Sequence, residues 1–156
     1  MKRNVNLIEL SRDHHFGLLL GWKVKQGLNH QVETQEIASY CIYFADNALL
    51  PHFEQEEQHL LGFLEEGDRM RERTLSEHEE IREAITKIRN GSNDSSTLTG
   101  LASLIESHIR FEERELFPYM ENSLNPNQLE EIGRLIEHSH ETYLENYPNE
   151  FWIKTN

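Results

Sequence analysis

The sequence predicts an all-α protein: an up-and-down antiparallel four-helix bundle with an additional C-terminal helix. Three observations carry this reading. Five segments repeat apolar residues at three- and four-residue steps. No segment alternates apolar and polar residues over a useful length, so strand signals are absent. Turn-forming residues fall between the periodic runs and seldom inside them. The length suits one domain, residues 1–156, with a bundle core over about 7–122 and the extra helix over about 126–147.

The first helix spans Leu7 to Leu28, with Leu7, Leu10, His14, Leu18 and Gly21 on one stripe, and Gly27-Leu28-Asn29-His30 closes it. The second runs from about Glu33 to Glu66 through Ile42, Ala45, Leu49, His52, Glu56, Leu60 and Phe63. Glu66-Gly67-Asp68 separates it from the third, about Asp68 to Asn90, whose stripe is Thr74, His78, Ile81, Ile85 and Ile88. The loop NGSNDSS follows, rich in residues that favour turns. The fourth helix, about Ser95 to Asn122, carries Leu101, Leu104, His108, Phe111 and Glu115, with Glu112 beside them. Asn125-Pro126-Asn127 reads as a cap with proline at the first helical position of the fifth, which has Leu129, Ile132, Ile136 and Tyr143. Pro51 and Pro118 each remove a helical hydrogen bond and mark a kink or a junction.

Composition excludes several classes. Asp and Glu number 28 against 15 Lys and Arg, a net charge of −13 with nine histidines counted neutral. Such a chain lacks the clustered cations that nucleic acid requires and is repelled by anionic membrane surfaces. No apolar run approaches a membrane span, and the N-terminus has no apolar stretch of a secretion signal. The single cysteine, Cys41, has no internal disulfide partner and reads as a buried thiol; a cytoplasmic location is the expectation.

The informative feature is what interrupts the apolar stripes. Each of the first four helices carries one histidine there: His14, His52, His78 and His108. Two carry a carboxylate one turn later, Glu56 and Glu112, which puts each pair on one helix face about 6 Å apart along the axis. The stretches around them repeat: HFEQEEQHL and HIRFEEREL share the pattern HxxxEExxL, 56 residues apart. In an up-down bundle the two helices run parallel and face each other across the core. A lone histidine on an apolar face is ordinarily a satisfied core residue. Two unpaired buried carboxylates, however, cost several kcal/mol each, and no Lys or Arg occupies a core-facing position to pair them. Metal cations supply the missing positive charge. Imidazole and carboxylate without thiolate fit iron, manganese or zinc, and six protein ligands with two carboxylates able to bridge suit two ions rather than one tetrahedral zinc.

With SRDHH in the first helix, SEHEEI in the third and HIRFEERELFP in the fourth, the chain from about Leu7 to Asn122 resembles the hemerythrin-like, or HHE cation-binding, family. The resemblance implies an up-and-down bundle around a non-haem di-iron centre, two iron ions with an oxo or hydroxo bridge, with manganese or zinc as substitutes. It implies His14, His52, His78 and His108 as terminal ligands and Glu56 and Glu112 as bridges. His15 also lies on an apolar stripe; His14 is preferred because its stripe extends further. The chain departs from the oxygen-carrying members, which have two histidines one turn apart on the third helix. Here Thr74 and Arg82 flank His78 at that spacing. The last histidine and carboxylate are also four residues apart, with Glu, where those members have five, with Asp. Glu77 and Glu115 are candidate further ligands, and Tyr40, Tyr43 and Tyr119 candidate partners for a ligand oxygen. Trp22, Phe63, Phe111 and Phe117 read as core, His59 as a candidate core hydrogen-bonder, His30 as a loop residue, and His138 and His140 as surface or interfacial.

The expected function is a protein that binds dioxygen or another small ligand at this centre, or senses oxygen or iron. The alternatives are an enzyme that acts on peroxide or oxygen, in the manner of a catalase or oxidase, and an interaction module with a structural metal. No residue is assigned a catalytic role. A protein partner or a homodimer would carry any signal onward.

Overall fold

A computed structural model describes residues 2–153 and is all-helical, with no strand among the described residues. Asn4 caps a short 3-10 turn, Val5–Leu7, that leads into α1, Ile8–Asn29. Helix α2 covers Thr34–Phe44 and continues through a π-turn, Ala45–Leu49, into α3, Leu50–His59. After the 3-10 turn Leu61–Phe63 comes α4, Arg69–Arg89, then α5, Ser95–Phe111. A second π-turn, Glu112–Leu116, joins α5 to α6, Phe117–Ser123, and α7 covers Pro126–Ser139. Helix α1 packs on α5 and α2, α4 packs on α5 and α2, and α7 lies against α3 and the N-terminal 3-10 turn. No described helix is long and apolar enough to cross a membrane.

The helix boundaries follow local chemistry. The Asp68 side chain accepts from the amides of Met70 and Arg71 to start α4, and Asp94 accepts from Thr97 to start α5. Asn125 and Gln128 form a reciprocal capping box at α7, with Pro126 at its first position. Gly67 and Gly91 take positive φ, 86° and 104°, at the two turns where the chain reverses.

Two expectations need correction. The second helix is not continuous to Glu66, because the regular helix stops at His59. Pro51 and Pro118 do mark junctions: each sits two residues beyond a π-turn, in the first turn of the helix that follows, where the widened backbone accommodates the missing amide. The fifth helix stops at Ser139 rather than near 147. Residues 140–150 form no regular element but pack back onto α1 and α2, and Phe151 and Trp152 enter the core. Pro148 and four aromatic side chains that reach back onto α1 and α2 suit a strap better than a helix.

Gly27, read as a helix terminator, is a packing residue inside α1. A Cβ there would lie 2.8 Å from the Phe151 ring and 2.9 Å from Ile37. The inner face of α1 runs Leu10, His14, Gly17, Leu20, Val24 and Gly27, while Leu18 and Trp22 face outward, half-exposed. Lys23 is also buried, against the expectation that no cation faces inward. Its ammonium donates to Glu145 Oε2 (2.7 Å) and Tyr40 Oη (3.0 Å) and lies 4.1 Å from the Trp152 ring.

The apolar core forms two clusters. One gathers α2, the later part of α1 and the α4–α5 pair around Phe44, Phe53 and Ile105; the other gathers Leu10, Phe111, Phe117 and the inner face of α7. Four histidines and two glutamates lie between them. Phe53 of the first cluster stacks on His78 with ring centroids 3.9 Å apart, and Phe117 of the second stacks on His14 at 5.5 Å.

Candidate metal centre

All six residues singled out by the apolar stripes are buried, and their donor atoms converge. Two quartets form, His14, His52, Glu56 and Glu112, and Glu56, His78, His108 and Glu112, each with donor atoms within 4.8 Å of one another. The quartets share both glutamates. Glu112 Oε1 is 2.8 Å from His14 Nε2 and Glu112 Oε2 is 3.1 Å from His108 Nε2, while Glu56 Oε1 is 3.1 Å from His78 Nε2 and 3.4 Å from His52 Nε2. His15, the alternative on α1, is exposed.

The outer nitrogens explain the orientation. Each Nδ1–H donates to a carboxylate from another helix or turn: His14 to Glu113 (2.7 Å), His52 to Asp13 (2.8 Å), His78 to Glu57 (2.6 Å) and His108 to Glu77 (2.8 Å). This fixes the ring and turns Nε2 inward, the outer-sphere arrangement typical of metal-binding histidines. The pattern is two-fold. On α1 Asp13 precedes His14, and on α4 Glu77 precedes His78; each acid serves the histidine of a HxxxEE motif, and the second Glu of each motif serves the histidine of α1 or α4 in return. That second Glu and the acid-His dipeptides stand in the sequence, but only pairing across helices reveals their role.

Three of the four outer carboxylates are backed by arginine: Glu113 by Arg3, Glu57 by Arg82 and Glu77 by Arg73. Asp13 is backed instead by His140, whose Nε2 lies 2.9 Å from both carboxylate oxygens. Thus His140 is not a plain surface residue, whereas His138 is exposed. Glu77 is an outer partner of His108 rather than a donor to either quartet, and Glu115 sits on the surface near Arg73. Tyr40 and Tyr119 are engaged elsewhere, with Glu145 and Asp68, and Tyr43 Oη accepts from the Asn146 amide. His59 is half-buried and in neither quartet, and His30 caps the end of α1. Thr74, one turn before His78, is fully buried and donates to the Met70 carbonyl (2.8 Å).

Burial disfavours charge on the four histidines and on Glu112, yet their ion pairs outweigh it. His78 is raised to about 10 by Glu112, Glu56 and Glu57, and His108 to about 9 by Glu112, Glu77 and Glu56. His14 is raised chiefly by Glu112 and Glu113 and His52 chiefly by Glu56 and Asp13, and Glu112 is held well below the usual carboxylate range, chiefly by His108. The pairing is incomplete: Nε2 of His52 and of His108, and Oε2 of Glu56 and of Glu112, are buried without an aligned hydrogen bond, even where His108 Nε2 and Glu112 Oε2 lie 3.1 Å apart. All four belong to residues of the quartets, and such orphaned donors fit metal ions, which would take both the imidazole lone pairs and the carboxylate charge. Cys41 belongs to neither quartet, and burial pushes its thiol up to about 12, so it stays protonated.

The model of the hemerythrin HHE cation-binding domain matches residues 7–120. No curated protein and no solved structure matches the chain. The match covers most of the chain and every residue of both quartets. With buried imidazole and carboxylate donors gathered across its helices, the chain belongs to the hemerythrin HHE cation-binding family.

Proposed function

We propose that this chain is a non-haem di-iron protein that binds dioxygen or another small ligand, or senses oxygen or iron, with manganese and zinc as substitutes in the site. The observation that carries the reading is the sharing of Glu56 and Glu112 by two quartets that each contribute two imidazoles. The proposed ligands are therefore His14, His52, His78 and His108, with Glu56 and Glu112 as bridges. An up-and-down four-helix bundle with α7 added outside is the proposed architecture, supported by the packing of α1 and α4 against both α2 and α5.

Iron, when bound, supplies the one-electron chemistry toward oxygen that these side chains lack. The residues do the rest. Asp13, Glu57, Glu77 and Glu113 hold the four Nδ1 protons, which leaves each Nε2 free to donate its lone pair. Phe53 and Phe117, stacked on His78 and His14, exclude water from two sides of the site.

A second reading, an enzyme that acts on peroxide or oxygen, is favoured by Thr74. Its buried hydroxyl is spent on the Met70 carbonyl, so α4 offers one imidazole and leaves room for an exchangeable ligand. Elemental analysis of purified protein tests the centre: two irons per chain are expected, and a single zinc would overturn it. An absorption band that forms with oxygen and bleaches reversibly under vacuum identifies binding. Oxygen evolution from peroxide over many turnovers identifies the enzyme.

A further inference from the structure

A cavity of 380 Å³ lies beside the six proposed ligands. His14, His52 and His108 form part of its wall, while Glu56, Glu112 and His78 do not line it, so it adjoins the donor cluster and is not the cluster itself. Its size is informative. One water-sized molecule requires roughly 10–15 Å³ measured this way, and dioxygen is of similar size. Pockets for small organic molecules begin at about 300 Å³. A site that handled only a diatomic gas would leave most of this space without purpose.

The walls say what fits. Phe16, Phe44, Leu49, Phe53 and Ile109 make a little over half of the lining apolar and in part aromatic, and Asp13, Gln55 and His140 contribute to its polar side. Asn47 and Thr142 add polar groups near the outside, and the acids Glu54 and Glu141 lie on the exposed rim. An apolar interior favours an uncharged body, and an acidic rim on a chain of net charge −13 turns anions away.

The outer wall is the last residue of α7 and the strap after it, which is tied down rather than loosely laid. Ser139 Oγ donates to Gln55 Oε1 (2.9 Å), His140 bonds Asp13, and the Asn146 amide donates to Tyr43 Oη (2.9 Å). The strap thus closes the cavity at the one outer carboxylate that lacks an arginine.

We propose that this cavity is a binding site for an uncharged, largely apolar organic molecule of one or two rings, held with one edge toward His14 and His52. The inference rests on the metal-centre reading for what happens at that edge, but not for the binding itself.

Isothermal titration of the metal-loaded protein with 1-naphthol tests it, with metal content measured on the same samples. The expected result is saturable binding at one site per chain. Ala48→Trp, which fills the cavity from the π-turn, and Thr142→Trp, which fills it from the exposed strap, should each weaken that binding at least tenfold with metal content unchanged. 1-Naphthalenesulfonate, the same rings with a negative charge, should bind at least tenfold more weakly than the naphthol. Absence of saturable naphthol binding would overturn the proposal, as would undiminished binding by Thr142→Trp, which stands as the decisive variant if Ala48→Trp does not fold. Equal affinity for the sulfonate would overturn the assigned ligand class. Naphthol binding in wild-type protein that takes up no metal would support the cavity site while the di-iron reading failed.

Discussion

Asp13 Oδ2 accepts the Nδ1 proton of His52 at 2.8 Å, although the two residues lie on different helices and 39 positions apart. Asp13 is held below the usual carboxylate range: burial raises it, but His52 and His140 more than compensate. The contact turns His52 so that Nε2 faces the shared glutamates. Asp13→Asn replaces a charged acceptor by a neutral one of equal size, and metal affinity should fall about tenfold to a hundredfold. A chelator-competition titration measures it, with helical circular dichroism expected to remain unchanged. Unaltered affinity would show that the ring is oriented without Asp13.

The shared glutamates give a sharper test. Because both quartets use Glu56 and Glu112, Glu56→Ala or Glu112→Ala should remove most of both irons rather than one. Elemental analysis after purification reads this directly. Two irons retained in each variant would refute the bridging assignment, and loss of one iron alone would show that the carboxylate serves a single ion.

The pH dependence has a definite sign. His78 stands at about 10 and His108 at about 9 in the metal-free fold, above the ordinary value of 6.5. These raised groups stabilise that fold fully below about pH 6.5, and the contribution is lost as pH rises through 9 and 10. The metal-free protein should therefore melt at lower temperature at pH 10 than at pH 7. Metal ligation needs the neutral imidazole, so loading at pH 7 should release about two protons from these histidines alone, and affinity should weaken toward acid. An indicator-dye titration during loading counts the protons; none released would contradict the ligand assignment.

Gly27 tests the strap. Alanine gains about 1 kcal/mol of helix propensity over glycine, but its methyl would meet the rigid Phe151 ring at 2.8 Å and Ile37 at 2.9 Å. Overpacking of this kind costs about 1–3 kcal/mol. Gly27→Ala should therefore destabilise the protein by up to about 2 kcal/mol, measured by urea denaturation. Increased stability would mean that Phe151 moves aside freely.

How much of this was legible in the sequence depends on whether a feature is local. The cap at Asn125 is legible in place, because a cap is satisfied by amides two or three residues on. The same holds for His14, His52, Glu56, His78, His108 and Glu112 as polar interruptions of apolar stripes, which helical periodicity exposes without knowledge of the neighbours. The π-turns before Pro51 and Pro118 were harder: proline signals a disturbed helix, but packing decides whether the chain breaks or widens. Tyr143 keeps a helical step from Ile136, so periodicity carries the fifth helix past its real end, while the contacts that hold the segment after Ser139 come from Asp13, Gln55 and Tyr43 far upstream.

Composition and spacing along one helix suffice for a helical chain of net charge −13 whose apolar faces are interrupted by histidine and glutamate. Which carboxylate serves which imidazole, the burial of Lys23 against Glu145, and the backing of Asp13 by His140 over a cavity follow from packing alone. Those pairings join residues on different helices. Nothing in the spacing along one helix specifies which side chains of another helix it will meet; close packing does, and so places the orphaned nitrogens and oxygens of the centre face to face.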